Sequence, residues 1–202
     1  SSGGTIGYVY VYFGGPALDN TPDLTLSSGE ANALFGYSVN CSGDVNGDGY
    51  SDVIVGAIYS TSSTGRAYVY LGGASMNDVL DLTLQELSPA AGDRFGDKIA
   101  TADVNKDGYS DIFVSAPNNS YDGIAGGTVL LYYGGATLNS SADLFLNAEA
   151  DGDDFGISIA SAGDVNGDGF PDLIVGAQYS NRNGNNSGCA YIFYGGLNMD
   201  DE

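Results

Sequence analysis

Histidine and tryptophan are absent from this sequence, and basic residues and cysteines are scarce. The 202 residues include no His, no Trp, five Lys and Arg together, and two Cys. Without histidine the chain cannot build a Ser-His-Asp or Cys-His catalytic arrangement, or a zinc site with histidine ligands. No run of about 20 apolar residues occurs, so membrane insertion is not expected.

Acidic residues dominate the charge of the chain. The 26 Asp and Glu against five Lys and Arg give a formal net charge of −21 at pH 7. Nucleic acids and anionic membranes bind basic surfaces, so neither is expected as a partner.

The two cysteines, Cys41 and Cys189, are far apart along the chain. An intramolecular disulfide between them is not expected, because they fall in different repeat units. Two alternatives remain open from the sequence, namely two free thiols or a bridge between subunits.

One nine-residue segment occurs three times with small changes. The copies begin at residues 44, 103 and 164, which are 59 and 61 residues apart, so each belongs to a larger structural unit. They read Asp44-Val-Asn-Gly-Asp-Gly-Tyr-Ser-Asp52, Asp103-Val-Asn-Lys-Asp-Gly-Tyr-Ser-Asp111 and Asp164-Val-Asn-Gly-Asp-Gly-Phe-Pro-Asp172.

The segment has the oxygen ligands that suit a hard divalent cation. Positions 1, 3, 5 and 9 carry carboxylates or an amide, position 7 would contribute its backbone carbonyl, and a glycine at position 6 permits a sharp turn. We therefore predict three Ca²⁺ sites. Their expected ligands are Asp44, Asn46, Asp48, Tyr50 and Asp52; Asp103, Asn105, Asp107, Tyr109 and Asp111; and Asp164, Asn166, Asp168, Phe170 and Asp172.

Three other interpretations of the segment compete with a calcium site of this kind. An EF-hand requires a bidentate Glu at position 12, where this chain has Val55, Val114 and Val175. EF-hands and dockerin repeats also need flanking helices, whereas the flanks here are strand-like. The third interpretation, an Asx-rich turn without an ion, would leave several acidic groups close together with no counter-charge.

Each segment lies inside a repeated pattern of four short predicted strands. A Phe-Gly pair precedes it, as at Phe35-Gly36, and an apolar run such as Val53–Ala57 follows it. An aromatic strand ending in Gly-Gly and a weaker fourth strand complete the unit. Four-stranded sheets that stack radially give a β-propeller, so we predict an all-β fold of propeller blades, with a solenoid or a sandwich as alternatives.

The pattern divides the chain into about three and a half blades. We predict a partial blade over 1–34, whole blades over 35–94 and 95–154, and a blade without its last strand over 155–202. The incomplete first and last sheets would expose unpaired strand edges. We therefore expect pairing with another copy, into a ring or filament, unless these residues are a fragment of a longer chain.

Phe-Gly, the D-x-N-x-D-G-x-x-D segment and the following Gly-Ala together resemble the FG-GAP repeat of integrin α-subunit propellers and of many secreted bacterial proteins. The resemblance covers essentially the whole chain. It implies a calcium ion in the hairpin loop between the first two strands of a blade, but it names no partner. Propellers of the family usually have seven blades, whereas this chain has about three and a half. It also has Ile58 and Gln178 where the family often has proline.

The functional prediction is a calcium-binding, extracellular module for adhesion, binding of a protein or glycan, or assembly. Millimolar calcium outside cells suits loops of this kind. The alternative is a calcium-stabilised carbohydrate-active enzyme or its carbohydrate-binding domain. Catalysis is not expected, because the acid–base candidates outside the repeat pattern are scattered: Asp93, Arg94, Asp153 and Asp154.

Overall fold

The computed structural model describes residues 4–15, 19–120, 123–197 and 199. Parts of the predicted first and last blades, and residues 121–122 in the predicted blade over 95–154, lie outside the described residues. No helix in the described residues is long and apolar enough to cross a membrane. Both cysteines have free thiols in this chain, with Cys41 exposed and Cys189 half-buried, and the intersubunit bridge stays a prediction.

The described residues form short strands and one helical turn. The strands are β1 (Val9–Val11), β2 (Leu24–Leu26), β3 (Ser38–Gly43), β4 (Asp52–Ala57), β5 (Arg66–Tyr70), β6 (Leu82–Leu84), β7 (Ile99–Ala102), β8 (Asp111–Ala116), β9 (Thr128–Tyr132), β10 (Leu144–Asn147), β11 (Phe155–Gly163), β12 (Asp172–Ala177) and β13 (Cys189–Phe193). The turn is α1 (Ser60–Ser63), in which Thr61 and Ser62 have φ values of 51° and 62°.

The strands form four antiparallel sheets in which each strand pairs with its neighbours in sequence. The sheets are β1-β2, β3-β4-β5-β6, β7-β8-β9-β10 and β11-β12-β13. The two central sheets have the four strands that the repeat pattern predicts. The all-β fold of open propeller blades is therefore confirmed.

The hydrophobic core lies between the sheets. All six residues of β4 and of β8 are buried, because each is the second strand of a four-stranded sheet that is covered on both faces. Val69 and Leu84 of one sheet share a cluster with Ile112 and Leu130 of the next. Each such side chain contributes about 1.5–3 kcal/mol when it leaves water, so neighbouring blades stabilise each other.

The phenylalanine of each Phe-Gly pair anchors its blade. Phe35, Phe95 and Phe155 are at most 5% exposed. The Phe95 ring lies 6.4 Å from the ring of Tyr132, centroid to centroid, in an edge-to-face arrangement. The Phe155 ring lies 5.5 Å from that of Tyr191. Contacts of this geometry add about 0.5–1.5 kcal/mol to simple burial, which explains why the pair recurs with each unit.

A buried pair of acids lies in the segment that joins the two central sheets. Glu86 and Asp93 are each 4% exposed. The Asn119 side-chain amide donates to both, at 2.8 Å to Glu86 Oε2 and 3.3 Å to Asp93 Oδ2. Burial, together with the hydrogen bond and negative charge of Asp93, raises the pKa of Glu86 to about 9. Glu86 is therefore protonated at neutral pH, beside the carboxylate of Asp93.

Candidate metal loops

Each of the three repeated segments forms the turn between the first and second strands of a sheet. The first joins β3 to β4, the second β7 to β8, and the third β11 to β12. The predicted position of the loops within the blade is therefore the one observed.

In the first loop the side chains of Asp44, Asn46 and Asp48 turn back onto the backbone of the loop. Asp44 accepts hydrogen bonds from the N–H groups of Gly47 at 2.7 Å and Gly49 at 2.7 Å. Asn46 Nδ2 donates to Asp48 Oδ2 at 3.0 Å, which brings the third and fifth positions together. These bonds hold three oxygen-bearing side chains side by side in a tight, exposed turn.

The second and third loops repeat this geometry. The amide of Asn105 donates to Asp107 at 3.0 Å, and that of Asn166 donates to Asp168 at 2.7 Å. The first-position carboxylates of Asp103 and Asp164 accept from the N–H of the glycine at position 6. That glycine has a φ of 90°, 93° or 97° in the three loops, a left-handed conformation that side chains disfavour.

The ninth position has a different environment. Asp52 is fully buried and accepts from Val45 N–H at 2.7 Å and from Gly72 N–H at 2.7 Å. Asp111 and Asp172 are also fully buried and make the equivalent pairs of bonds. Each of these carboxylates therefore joins the start of its loop to the end of the third strand, a role that sequence reasoning missed. The Gly-Gly that ends each third strand was the available signal.

The structure thus brings positions 1, 3 and 5 together and sets position 9 deeper. Within the part of the chain that the structure describes, no three His, Cys, Asp or Glu side chains converge on one point. Two features explain why three such side chains do not converge. Position 3 is Asn in each loop, and the position-9 carboxylate is turned toward backbone N–H groups.

In the first two loops the position-9 carboxylate nevertheless lies within electrostatic reach of its loop. Burial raises the pKa of Asp111 to about 7, two backbone hydrogen bonds oppose this, and the negative charges of Asp107 and Asp103 raise it further. The pKa of Asp52 is raised by the same causes, with Asp48 and Asp44 as the neighbouring charges. These two loops therefore carry mutual repulsion that a bound cation would relieve.

The donor set fits a hard divalent cation. All the side-chain donors are carboxylate or amide oxygens, and each carboxylate keeps lone pairs beyond those that accept N–H groups. Lys106 is the one basic residue within the three segments. Hydrogen bonds from Phe170 N–H and from Asn166, with a smaller effect of Lys106, lower the pKa of Asp168. The tyrosines and phenylalanine at position 7 would contribute only backbone carbonyls.

The residues considered for catalysis make local contacts instead. Asp93 belongs to the buried pair with Glu86, and Arg94 pairs with Asp97 while donating to the Tyr37 hydroxyl at 2.9 Å. Asp154 accepts from the Gln178 amide at 2.8 Å. The structure therefore does not gather these residues, or the buried Asp153, into one site.

Comparison with protein families identifies the repeat. The FG-GAP repeat family matches residues 155–193, and the FG-GAP-like repeat family matches residues 44–114. Together the two matches cover just over half of the chain. This chain is an FG-GAP repeat protein.

Curated relatives of the FG-GAP chain include integrin α subunits. Integrin alpha-IIb of Mus musculus is 39% identical over 157 residues, which cover 72% of this chain and 15% of the relative. Integrin alpha-7 of Rattus norvegicus is 35% identical over 164 residues, 77% of this chain and 14% of the relative.

An enzyme is also among the relatives. Phosphatidylinositol-glycan-specific phospholipase D of Bos taurus is 32% identical over 170 residues, which cover 77% of this chain and 20% of the relative. The FG-GAP chain thus spans only about one fifth to one seventh of the length of these three relatives.

Proposed function

We propose that this FG-GAP chain is a calcium-binding, extracellular interaction module. The observation that supports this most directly is the repetition of one oxygen-rich turn at the same place in three sheets. Asp, Asn and Asp at positions 1, 3 and 5 would hold each ion, with the position-7 carbonyl and the position-9 carboxylate completing the set. Bound calcium would neutralise the mutual repulsion of these groups.

The loops themselves have a structural task in this proposal. Each connects two strands of a sheet, and its ninth-position carboxylate is bonded to the end of the third strand, as at Asp52 and Gly72. An ion at positions 1 to 5 would therefore stabilise the folded blade over the unfolded chain, in which no such site is preformed.

An extracellular location follows from the affinity expected of such loops. Calcium sites in extracellular modules have Kd values of about 10⁻⁴–10⁻³ M, which resting cytosol would leave empty. The similarity to integrin α subunits supports the same location and an adhesive or protein-binding role.

A second candidate function is a non-catalytic part of an enzyme. The similarity to a phospholipase D favours it, because the similar stretch covers only 20% of that enzyme. Binding of glycans or proteins by the purified chain without any turnover would agree with either a receptor or an accessory role. Turnover of a glycan that a single carboxylate substitution abolishes would contradict the interaction module.

Calcium stoichiometry tests the proposal. Calorimetric titration should give three ions per chain, and Asp48→Ala should reduce this to two because it removes two of the first loop's oxygens. Magnesium should bind more weakly, since it demands a tighter octahedral shell. Glu149→Gln removes an acid outside the loops and should leave three sites. Absence of calcium binding by folded protein would refute the proposal.

A further inference from the structure

The three loops form a contiguous row in which each contacts the next. A Cβ placed on Gly47, at position 4 of the first loop, would lie 2.6 Å from the ring of Tyr109, at position 7 of the second. Lys106, at position 4 of the second loop, has its ammonium 5.8 Å from the centroid of the Phe170 ring, at position 7 of the third. Position 4 of one loop therefore contacts position 7 of the following loop at both junctions.

Lys106 differs from its two equivalents in both backbone and chemistry. Position 4 is glycine in the first and third loops, with φ values of 75° and 79°. Lys106 has a φ of 58°, a left-handed conformation that costs a non-glycine residue about 1–2 kcal/mol. The N–H of Gly47 and that of Gly167 each donate to the first carboxylate of their loop, a bond that the second loop lacks among the described residues.

The Lys106 ammonium lies against the third loop. Besides its contact with the face of Phe170, it would be 3.3 Å from a Cβ placed on Gly169. Phe170 and Gly169 directly follow Asp168, one of the proposed ligands. The side chain is exposed, so its charge acts through water and is partly screened.

We propose that Lys106 lowers the calcium affinity of the third loop, so that the first loop fills at lower calcium than the third. This inference rests on the proposed function, because it concerns the same calcium loops. A fixed positive charge near a site repels a divalent ion, whereas the junction of the first loop with the second holds only the uncharged Gly47 and Tyr109. The three sequence-similar loops would thus form sites of graded affinity.

Lys106→Gln tests this by removing the charge while keeping most of the side-chain length. In a chain where Asp48→Ala and Asp107→Ala leave only the third loop, we expect Lys106→Gln to tighten calcium binding about three- to fivefold at low salt. Raising the salt to about 1 M should shrink the difference, because the Debye length is then about 3 Å. Lys106→Arg keeps the charge and should change the Kd by less than about twofold.

The matched control is a chain in which Asp107→Ala and Asp168→Ala leave only the first loop. There Lys106→Gln should leave the Kd unchanged. Should the double variants not fold, the full-length Lys106→Gln chain provides the same test when each loop is followed by the amide NMR signal of its position-6 glycine. Calcium binding reported by Gly169 of the third loop should tighten, while that reported by Gly49 of the first loop should not.

The outcomes separate this inference from the proposed function. An unchanged Kd for the third loop in Lys106→Gln, or an equal change in the first loop, would overturn the inference while calcium binding stands. Absence of calcium binding by the unaltered, folded chain would overturn both.

Discussion

Removing calcium is expected to lower the free energy of unfolding by about 4–8 kcal/mol relative to protein in about 10 mM calcium. A site with a Kd of about 10⁻⁴–10⁻³ M gains about 1.4–2.7 kcal/mol at that concentration, and we propose three such sites. For a chain of this size each kcal/mol changes Tm by about 2–4 °C. Chelation should therefore lower Tm by roughly 10–30 °C, which thermal unfolding followed by circular dichroism would measure.

Two controls define this result. Magnesium at the same concentration should restore less of the lost Tm. Asp48→Ala should remove about one third of the calcium-dependent gain, because it disables one of three loops, whereas Glu149→Gln should keep all of it. An unchanged Tm after metal removal verified by elemental analysis would show that the loops are stable turns without an ion.

Replacing the buried acid Glu86 by glutamine is expected to stabilise the chain at neutral pH. Its pKa is about 9 when folded and 4.5 when exposed, so the folded state holds a proton that the unfolded state releases. The stability that this proton supports is complete below pH 4.5 and is lost as the pH rises toward 9. The glutamine in Glu86→Gln has no such proton to lose, and its neutral amide places no second negative charge beside Asp93.

The size of this effect depends on pH in a way that can be measured. The free energy of unfolding of Glu86→Gln should exceed that of the unaltered chain by close to zero at about pH 4.5 and by about 3 kcal/mol at about pH 7. Each pKa unit is worth about 1.4 kcal/mol. Urea unfolding of both proteins at several pH values would give this difference. Titration of the loops affects both proteins alike, so it cancels.

A surface acid provides the comparison. Glu149 pairs with Arg182 at 2.8 Å, but both side chains are more than half exposed. Glu149→Gln should therefore change stability by about 1 kcal/mol or less, with little dependence on pH. Equal pH profiles for Glu86→Gln and the unaltered chain would contradict a raised pKa of Glu86 in the folded chain.

The fold could be predicted because its signals are local and repeated. Short β-branched and aromatic runs punctuated by glycine define strands, and their recurrence in units of about 60 residues defines the sheets. The oxygen-bearing side chains at positions 1, 3 and 5 of each loop could be predicted for the same reason. Three points stay predictions. They are which residues bind calcium, the blade boundaries at 34/35, 94/95 and 154/155, and assembly with another copy.

Long-range contacts could not be predicted from the sequence pattern. The buried Asp52 is bonded to Gly72, 20 residues away, and the pattern does not reveal which N–H groups a buried carboxylate will accept from. Glu86 falls outside the repeat pattern, and its neighbour Asn119 is 33 residues away. The sequence shows that Lys106 is the one base in the loops, but its contact with Phe170 depends on how two blades pack.

Because the cores lie between sheets, an evolving gene can gain or lose a blade without redesigning an interface. If residues 35–94 were excised, the sheet face that now packs against β4 would lie opposite β8 instead. All six residues of β8 are buried, as are all six of β4. Recombination between equivalent points of two units would yield chains of different repeat number that present the same kind of face at each new junction. Glu86 is lost in that excision and Lys106 is kept, so local specialisations can be inherited or discarded together with whole units.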